Sequence, residues 1–276
     1  MLGNFVFDID GTLAIALDYE AEKHEKAIKE KFDAAFIEKY RLTAANYPHY
    51  IYPGYYALFK WLHTLGGKII FFSSGMEIRN VELAAKMMEK AFGDAVSEVE
   101  YKVFSRQHCV DTTTWAMQQG EGKSYQSYFY GQRKKKLAGI IVPEAELQST
   151  LLIDDDSSYM VKGEEYNFIS LRYPSDYLPQ GYRSKRFTEF HRVYYLAGLF
   201  ATMFEAQKEK GISLVEAAKF VQIDSEGVEL SRDFYYPGTK RVRFHLKGYE
   251  ILSKIDPTLT FYYPVPKGEF EVAEDD

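Results

Sequence analysis

The 276-residue chain holds one cysteine, Cys109, and no block of five or more basic residues. A lone thiol excludes intrachain disulfides and cysteine zinc fingers and fits a reducing, cytoplasmic setting. With a formal net charge of −6, the chain offers no basic face to a phosphate backbone, so no nucleic acid is expected as a partner. The N-terminus lacks the basic segment and small-residue cleavage site of a signal peptide. Val193 to Phe204, the longest nearly apolar stretch, is too short for a transmembrane segment. The histidines form no HExxH pair, which removes the usual zinc-hydrolase ligands. Trp115 stands where a cysteine phosphatase needs its arginine, so Cys109 reads as a small buried hydrophobe. Tyr159 occupies the turn-glycine position of a calcium loop drawn over Asp154 to Glu165, and Gly120 to Lys123 lacks the spacing of a P-loop.

The composition that remains, 46% apolar and 27% charged, is that of a globular chain able to bury a sizeable core. Three apolar runs share one grammar. Phe5-Val6-Phe7 ends in Asp8-Ile9-Asp10-Gly11-Thr12, Lys68 to Phe72 ends in Ser73-Ser74-Gly75, and Leu151-Leu152-Ile153 ends in Asp154-Asp155-Asp156. Continuous apolar runs of this length predict buried parallel strands that deliver polar groups at their carboxyl ends. Helices are predicted over residues 54–65, closed by Gly66-Gly67, and over 77–92. Residues 18–40 carry helical apolar spacing and suggest a small lid. A short strand near Lys102 to Phe104 leads into an irregular excursion over 110–135, and Phe168 to Leu171 reads as a further strand. Residues 187–222 read as two helices broken at Gly211, and 223–276 as short β-like runs between turns.

In an open parallel sheet, ligands bind beyond the carboxyl ends of the strands. There the three runs would supply Asp8 and Asp10, Ser73, and Asp154 and Asp155, a carboxylate-rich pocket with one hydroxyl. Two unit charges about 4 Å apart interact by roughly 4 kcal/mol at an effective dielectric near 20, so clustered carboxylates need a cation or must protonate. Magnesium, which prefers oxygen ligands and keeps several waters, suits such a set. Each aspartate taken alone is equally a turn former or helix N-cap.

The run Phe5-Val6-Phe7-Asp8-Ile9-Asp10-Gly11-Thr12-Leu13 resembles the first signature of the haloacid dehalogenase (HAD) superfamily. The apolar run with Ser73 resembles the second, Lys136 the third, and Ile153-Asp154-Asp155 the fourth, in order across about residues 5–160. The resemblance implies that Asp8 is the nucleophile toward phosphorus and Asp10 the general acid and base. It further implies that Mg2+ is held by the Asp8 carboxylate, the Asp10 backbone carbonyl and a fourth-signature acid, Asp155, with Asp154 orienting its neighbours, two roles that could be exchanged. Ser73 would bind a phosphoryl oxygen, with Gly11, Thr12 and Ser74 beside it. Among the adjacent Lys134, Lys135 and Lys136, the third-signature lysine is taken as Lys136, because Leu137 follows it at family-like spacing.

A narrower resemblance joins Tyr101 to Val110, and Tyr52-Pro53-Gly54, to the small C-terminal-domain phosphatase and NLI-interacting-factor group, which dephosphorylates proteins. Gly11 stands where that group usually carries an acid. The expected fold is α/β: a Rossmann-like parallel sheet flanked by helices over residues 1–185, with a small helical lid within 14–50. Residues 186–276 would form an α+β appendage, open to contact with a partner or a membrane surface. The expected activity is Mg2+-dependent phosphomonoester hydrolysis through a phosphoaspartate, on a phosphorylated protein or peptide, with a nucleotide or sugar phosphate as the alternative substrate.

Overall fold

The computed structural model describes residues 2–16, 34–111, 133–171, 185–222 and 238–261. The chain opens with strand β1 (Gly3–Phe7), followed by β2 (Ala14–Ala16), helix α1 (Ala34–Tyr40), β3 (Arg41–Ala44), β4 (Tyr47–Ile51), α2 (Tyr55–Thr64), β5 (Gly67–Phe72) and α3 (Glu77–Phe92). Next come β6 (Tyr101–Phe104), β7 (Val110–Asp111), β8 (Arg133–Lys134), β9 (Thr150–Asp154) and β10 (Phe168–Ser170). Helices α4 (Lys185–Lys210), α5 (Leu214–Gln222) and α6 (Gly238–Leu252) complete the described elements.

Five strands form one parallel sheet in the order β10-β9-β1-β5-β6, so the fold is α/β and Rossmann-like, flanked by helices. Over residues 5–7, 69–72 and 151–153 its central strands are apolar because both faces are covered. Side chains alternate across a strand. Phe5, Phe7, Ile69, Phe71, Leu151 and Ile153 therefore enter the large core with the helices, while Val6, Ile70, Phe72 and Leu152 pack with Leu137, Ile141, Val142 and Phe168 on the other face.

The insert after β1 holds strands as well as the end of the expected lid helix. Residues 17–33 lie outside the described part; the remainder is a three-stranded antiparallel sheet, β2-β4-β3, with the short α1. The β3–β4 turn places Ala45 (φ 48) and Asn46 (φ 68) in the left-handed region, as tight hairpins require. Most of the excursion expected over 110–135 also lies outside the described residues.

Helices beyond residue 185 pack into the same hydrophobic cluster as the sheet. Val193, Tyr194, Leu196, Phe200, Met203, Leu214 and Leu252 belong to the same hydrophobic cluster as Phe5 and Phe7. Phe200 stacks obliquely on Phe5 at 5.1 Å. The helices α4 and α6 cross through Gly198 and Gly248; a Cβ on either would lie within 1.9 Å of a backbone oxygen of the other helix. The short β-like runs expected beyond residue 223 are, over 238–252, the helix α6, and residues 223–237 and 262–276 lie outside the described part. No helix among the described residues is long and apolar enough to cross a membrane.

If α4 is integral to this core, Phe200→Ala should cost about 3–5 kcal/mol in urea unfolding. Phe220→Ala, at a side chain of 51% exposure on α5, should stay within about 0.5 kcal/mol.

Candidate active site

Strand register brings residues far apart in the chain to one level. Phe7 lies beside Phe71 of β5 and Ile153 of β9, so Asp8, Phe72 and Asp154 leave the sheet together, with Ser73 one residue further. The Asp8 amide donates to the Ile153 carbonyl at 2.8 Å, which fixes the first residue beyond β1.

Lys135 reaches the same place from the segment after β8, its amide donating to the Tyr159 carbonyl at 2.9 Å. Its wholly buried Nζ donates to Asp8 Oδ1 at 2.5 Å and to Asp154 Oδ2 at 2.6 Å. The ammonium also lies 4.5 Å from the centre of the Tyr159 ring, within cation–π range. The second oxygen of Asp154 accepts the Asp156 amide at 2.9 Å, so both its oxygens are engaged.

Asp155 is braced from the other side. Its amide donates to Thr12 Oγ1 at 3.0 Å, and that hydroxyl donates to Asp155 Oδ1 at 3.1 Å. Tyr55 Oη donates to the Thr12 carbonyl at 2.8 Å. Gly11, at φ +78, leaves room for the carboxylate, since a Cβ there would fall 2.3 Å from Asp155 Oδ2. Arg192 of α4 donates to the Gly11 carbonyl and lies over the Tyr52 ring. A helix from the last third of the chain thus touches the loop after β1.

Burial pushes the Asp8 carboxyl well above its usual range, opposed by the Lys135 ammonium. Burial likewise lifts Asp154 to about 6 against the same ammonium, and lifts Asp155 against Arg192. Burial pulls Lys135 down, but Asp154 and Asp8 outweigh it and hold it charged. Ligand oxygens of Asp8, Asp154 and Asp155 lie within 4.8 Å of one another. Three carboxylates around one ammonium leave an excess of negative charge on hard oxygen donors, a set that fits a divalent cation such as Mg2+.

Asp10 lies outside this cluster; only its backbone carbonyl remains available for the metal role expected of it. Its carboxylate is gripped by Arg79 of α3, Nη1 to Oδ1 and Nη2 to Oδ2 at 2.5 Å each, and accepts Ser73 Oγ at 3.0 Å. Burial, reinforced by the Arg79 charge, lowers the nearby His49 imidazole.

The structure thus corrects several expectations. Lys135, not Lys136, joins the carboxylates; Lys136 is exposed. Lys135 and Leu137 are both buried, and Lys136 between them is exposed. Thr12, expected at the phosphate, is fully buried and braces Asp155 instead. Gly11 makes room for that same carboxylate. Ser74 Oγ pairs with Tyr159 Oη at 2.8 Å, whereas Ser73 stands with Asp10. Cys109 is half-buried, and burial raises its thiol, as befits an inert side chain. Arg79, Tyr159 and Arg192 carry no motif of their own and become visible only through these contacts.

No protein-family description matches the chain, and no curated protein does. A solved structure to which it is similar is that of the fission yeast RNA polymerase II CTD phosphatase Fcp1, in a substituted form bound to beryllium fluoride. Identity is 13% and the TM-score 0.34; the match covers 92% of this chain, which spans 65% of that one.

Removing the buried ammonium should expose the repulsion it offsets. Without divalent ions at pH 7, Lys135→Met should destabilise the protein by about 3–5 kcal/mol in urea unfolding. Lys136→Met should change stability by less than about 0.5 kcal/mol.

Proposed function

We propose that this chain is a phosphomonoester hydrolase of the HAD type, acting through phosphoryl transfer to Asp8. The observation that carries this reading is the buried Lys135 ammonium bridging Asp8 and Asp154 beyond the ends of neighbouring parallel strands, with Asp155 alongside. Such an arrangement holds one carboxylate oxygen of Asp8 and leaves its second oxygen for a substrate.

Because both oxygens of Asp154 are engaged, Asp8 and Asp155 would hold a Mg2+ ion, together with the Asp10 carbonyl. Mg2+ bound there would neutralise phosphoryl charge and so let one anion approach another. Asp8 Oδ2 attacks phosphorus, forming an acyl phosphate as the ester P–O bond breaks. The departing oxygen takes a proton from Asp10. Asp10 then takes a proton from the water that attacks phosphorus, so that orthophosphate leaves and the Asp8 carboxylate returns. Ser73 would hold a phosphoryl oxygen, and Lys135 would offset charge on the intermediate.

A phosphorylated protein or peptide is the substrate class that the surface beside the site supports. Met76 and Ile78 are exposed apolar side chains directly after Ser73-Ser74-Gly75, with Val81 one helical turn beyond. Such a surface suits the chain flanking a phosphorylated residue better than a sugar or a nucleotide. The likeness of Tyr101 to Val110 to protein phosphatases supports the same choice.

Phosphotyrosine, phosphoserine and phosphothreonine peptides, assayed against sugar phosphates and nucleotides with and without Mg2+, should show Mg2+-dependent turnover favouring peptides. Asp8→Asn should lower kcat by at least about 10³-fold. Hydrolysis retained in that variant would remove Asp8 as the nucleophile.

A pH dependence of cation binding also follows. Asp154, lifted to about 6, holds its proton more tightly than usual, so below that pH a cation must displace a proton from the cluster. Calorimetry should find Mg2+ affinity falling as the pH is lowered through about 6.

A further inference from the structure

The Arg79 guanidinium is held by a set of contacts that cation binding does not explain. Its Nε and Nη2 donate to Asn80 Oδ1 at 3.1 and 2.7 Å. Asn80 is itself fully buried, and its Nδ2 donates to Ser105 Oγ at 2.9 Å and to the Ser73 carbonyl at 3.4 Å. The guanidinium is therefore aimed by a neighbour anchored just past the ends of β5 and β6. Gly75 completes the slot: a Cβ there would stand 2.0 Å from Arg79 Nη2, so the guanidinium passes over a position that only glycine leaves open.

From this slot Arg79 reaches the two groups that a transferring phosphoryl group would meet. Nη2 lies 2.5 Å from Asp10 Oδ2 and 3.3 Å from Ser73 Oγ, and Nη1 lies 2.5 Å from Asp10 Oδ1. A phosphoryl oxygen accepting from Ser73 while the ester oxygen faces Asp10 comes within hydrogen-bond reach of this fork. A phosphate dianion presents the same two-oxygen edge as a carboxylate and carries more charge, which makes it the natural competitor for a guanidinium.

We propose that Arg79 is a phosphoryl-binding residue, whose guanidinium passes from Asp10 to the substrate when the ester enters. The proposal rests on the hydrolase reading above and adds to it a binding group that none of the signature residues supplies. Before substrate arrives, the fork keeps the Asp10 carboxylate beside Ser73 and away from the Asp8, Asp154 and Asp155 cluster. Once the fork turns to the phosphoryl group, the freed Asp10 carboxylate takes up a proton from solvent, gives it to the departing ester oxygen, and then takes one from the attacking water.

The test is orthophosphate binding to the full chain by calorimetry in the presence of Mg2+, with kcat and KM for p-nitrophenyl phosphate measured alongside. Arg79→Gln should weaken orthophosphate binding at least tenfold and raise KM by a similar factor. Arg79→Lys, which keeps the charge without the fork, should recover only part of that loss. Gly75→Ala should mimic Arg79→Gln with the arginine still present, because the added methyl displaces the guanidinium, and this covers the case in which Arg79→Gln fails to fold. The control Lys136→Gln should bind orthophosphate like the parent. If the parent chain binds orthophosphate and turns over the ester while folded Arg79→Gln and Gly75→Ala bind orthophosphate undiminished, the assignment of Arg79 is overturned and the hydrolase reading stands. A parent chain that neither binds orthophosphate nor hydrolyses the ester would overturn both.

Discussion

The site depends on one buried cation. Three carboxylates gather where β1 and β9 leave the sheet, and each is lifted by burial, so their proximity would drive the loop after β1 away from β9 unless something opposed it. The Lys135 ammonium does so by bonding to Asp8 and Asp154 at once. Its own burial is tolerable only because two anions face it. The anionic excess that remains on Asp8 and Asp155 is what would draw a hard cation to the pocket.

A second charged pair is kept separate from the first. Asp10 follows Asp8 by two residues, yet its carboxylate turns to Arg79 and Ser73 rather than to the cluster. Two aspartates from one short loop therefore occupy different electrostatic surroundings, a buried one beside an ammonium and a partly open one beside a guanidinium. The two roles proposed for them, nucleophile and proton carrier, would have their physical basis in that difference.

Much of this could be read in advance where a local rule was strong. The strands at Phe5, Lys68 and Leu151 declared themselves by continuous apolar runs ending in polar groups, and the aspartates and Ser73 lie where parallel-sheet geometry sends them. The hairpin of β3 and β4 was hidden because its turn is Ala45-Asn46, without the glycine that usually marks one. Helix α6 was hidden because its apolar residues face α4 through a glycine crossing rather than along a wide stripe. The lysine was misplaced by one position because spacing to Leu137 does not tell which of the adjacent lysines is buried, and it is Lys135. Arg79 and Arg192 belong to helices whose sequences give no hint of what lies across the gap.

The packing of α4 on β1 sets an order of events in synthesis. Phe5 leaves the ribosome well before Phe200, which covers it. Arg192 likewise meets the loop after β1 across most of the polypeptide. A nascent chain short of this helix would therefore present a bare aromatic face and a half-built pocket, a state suited to chaperone capture and unsuited to turnover. The pocket would be completed only once α4 has been made and folds back over β1.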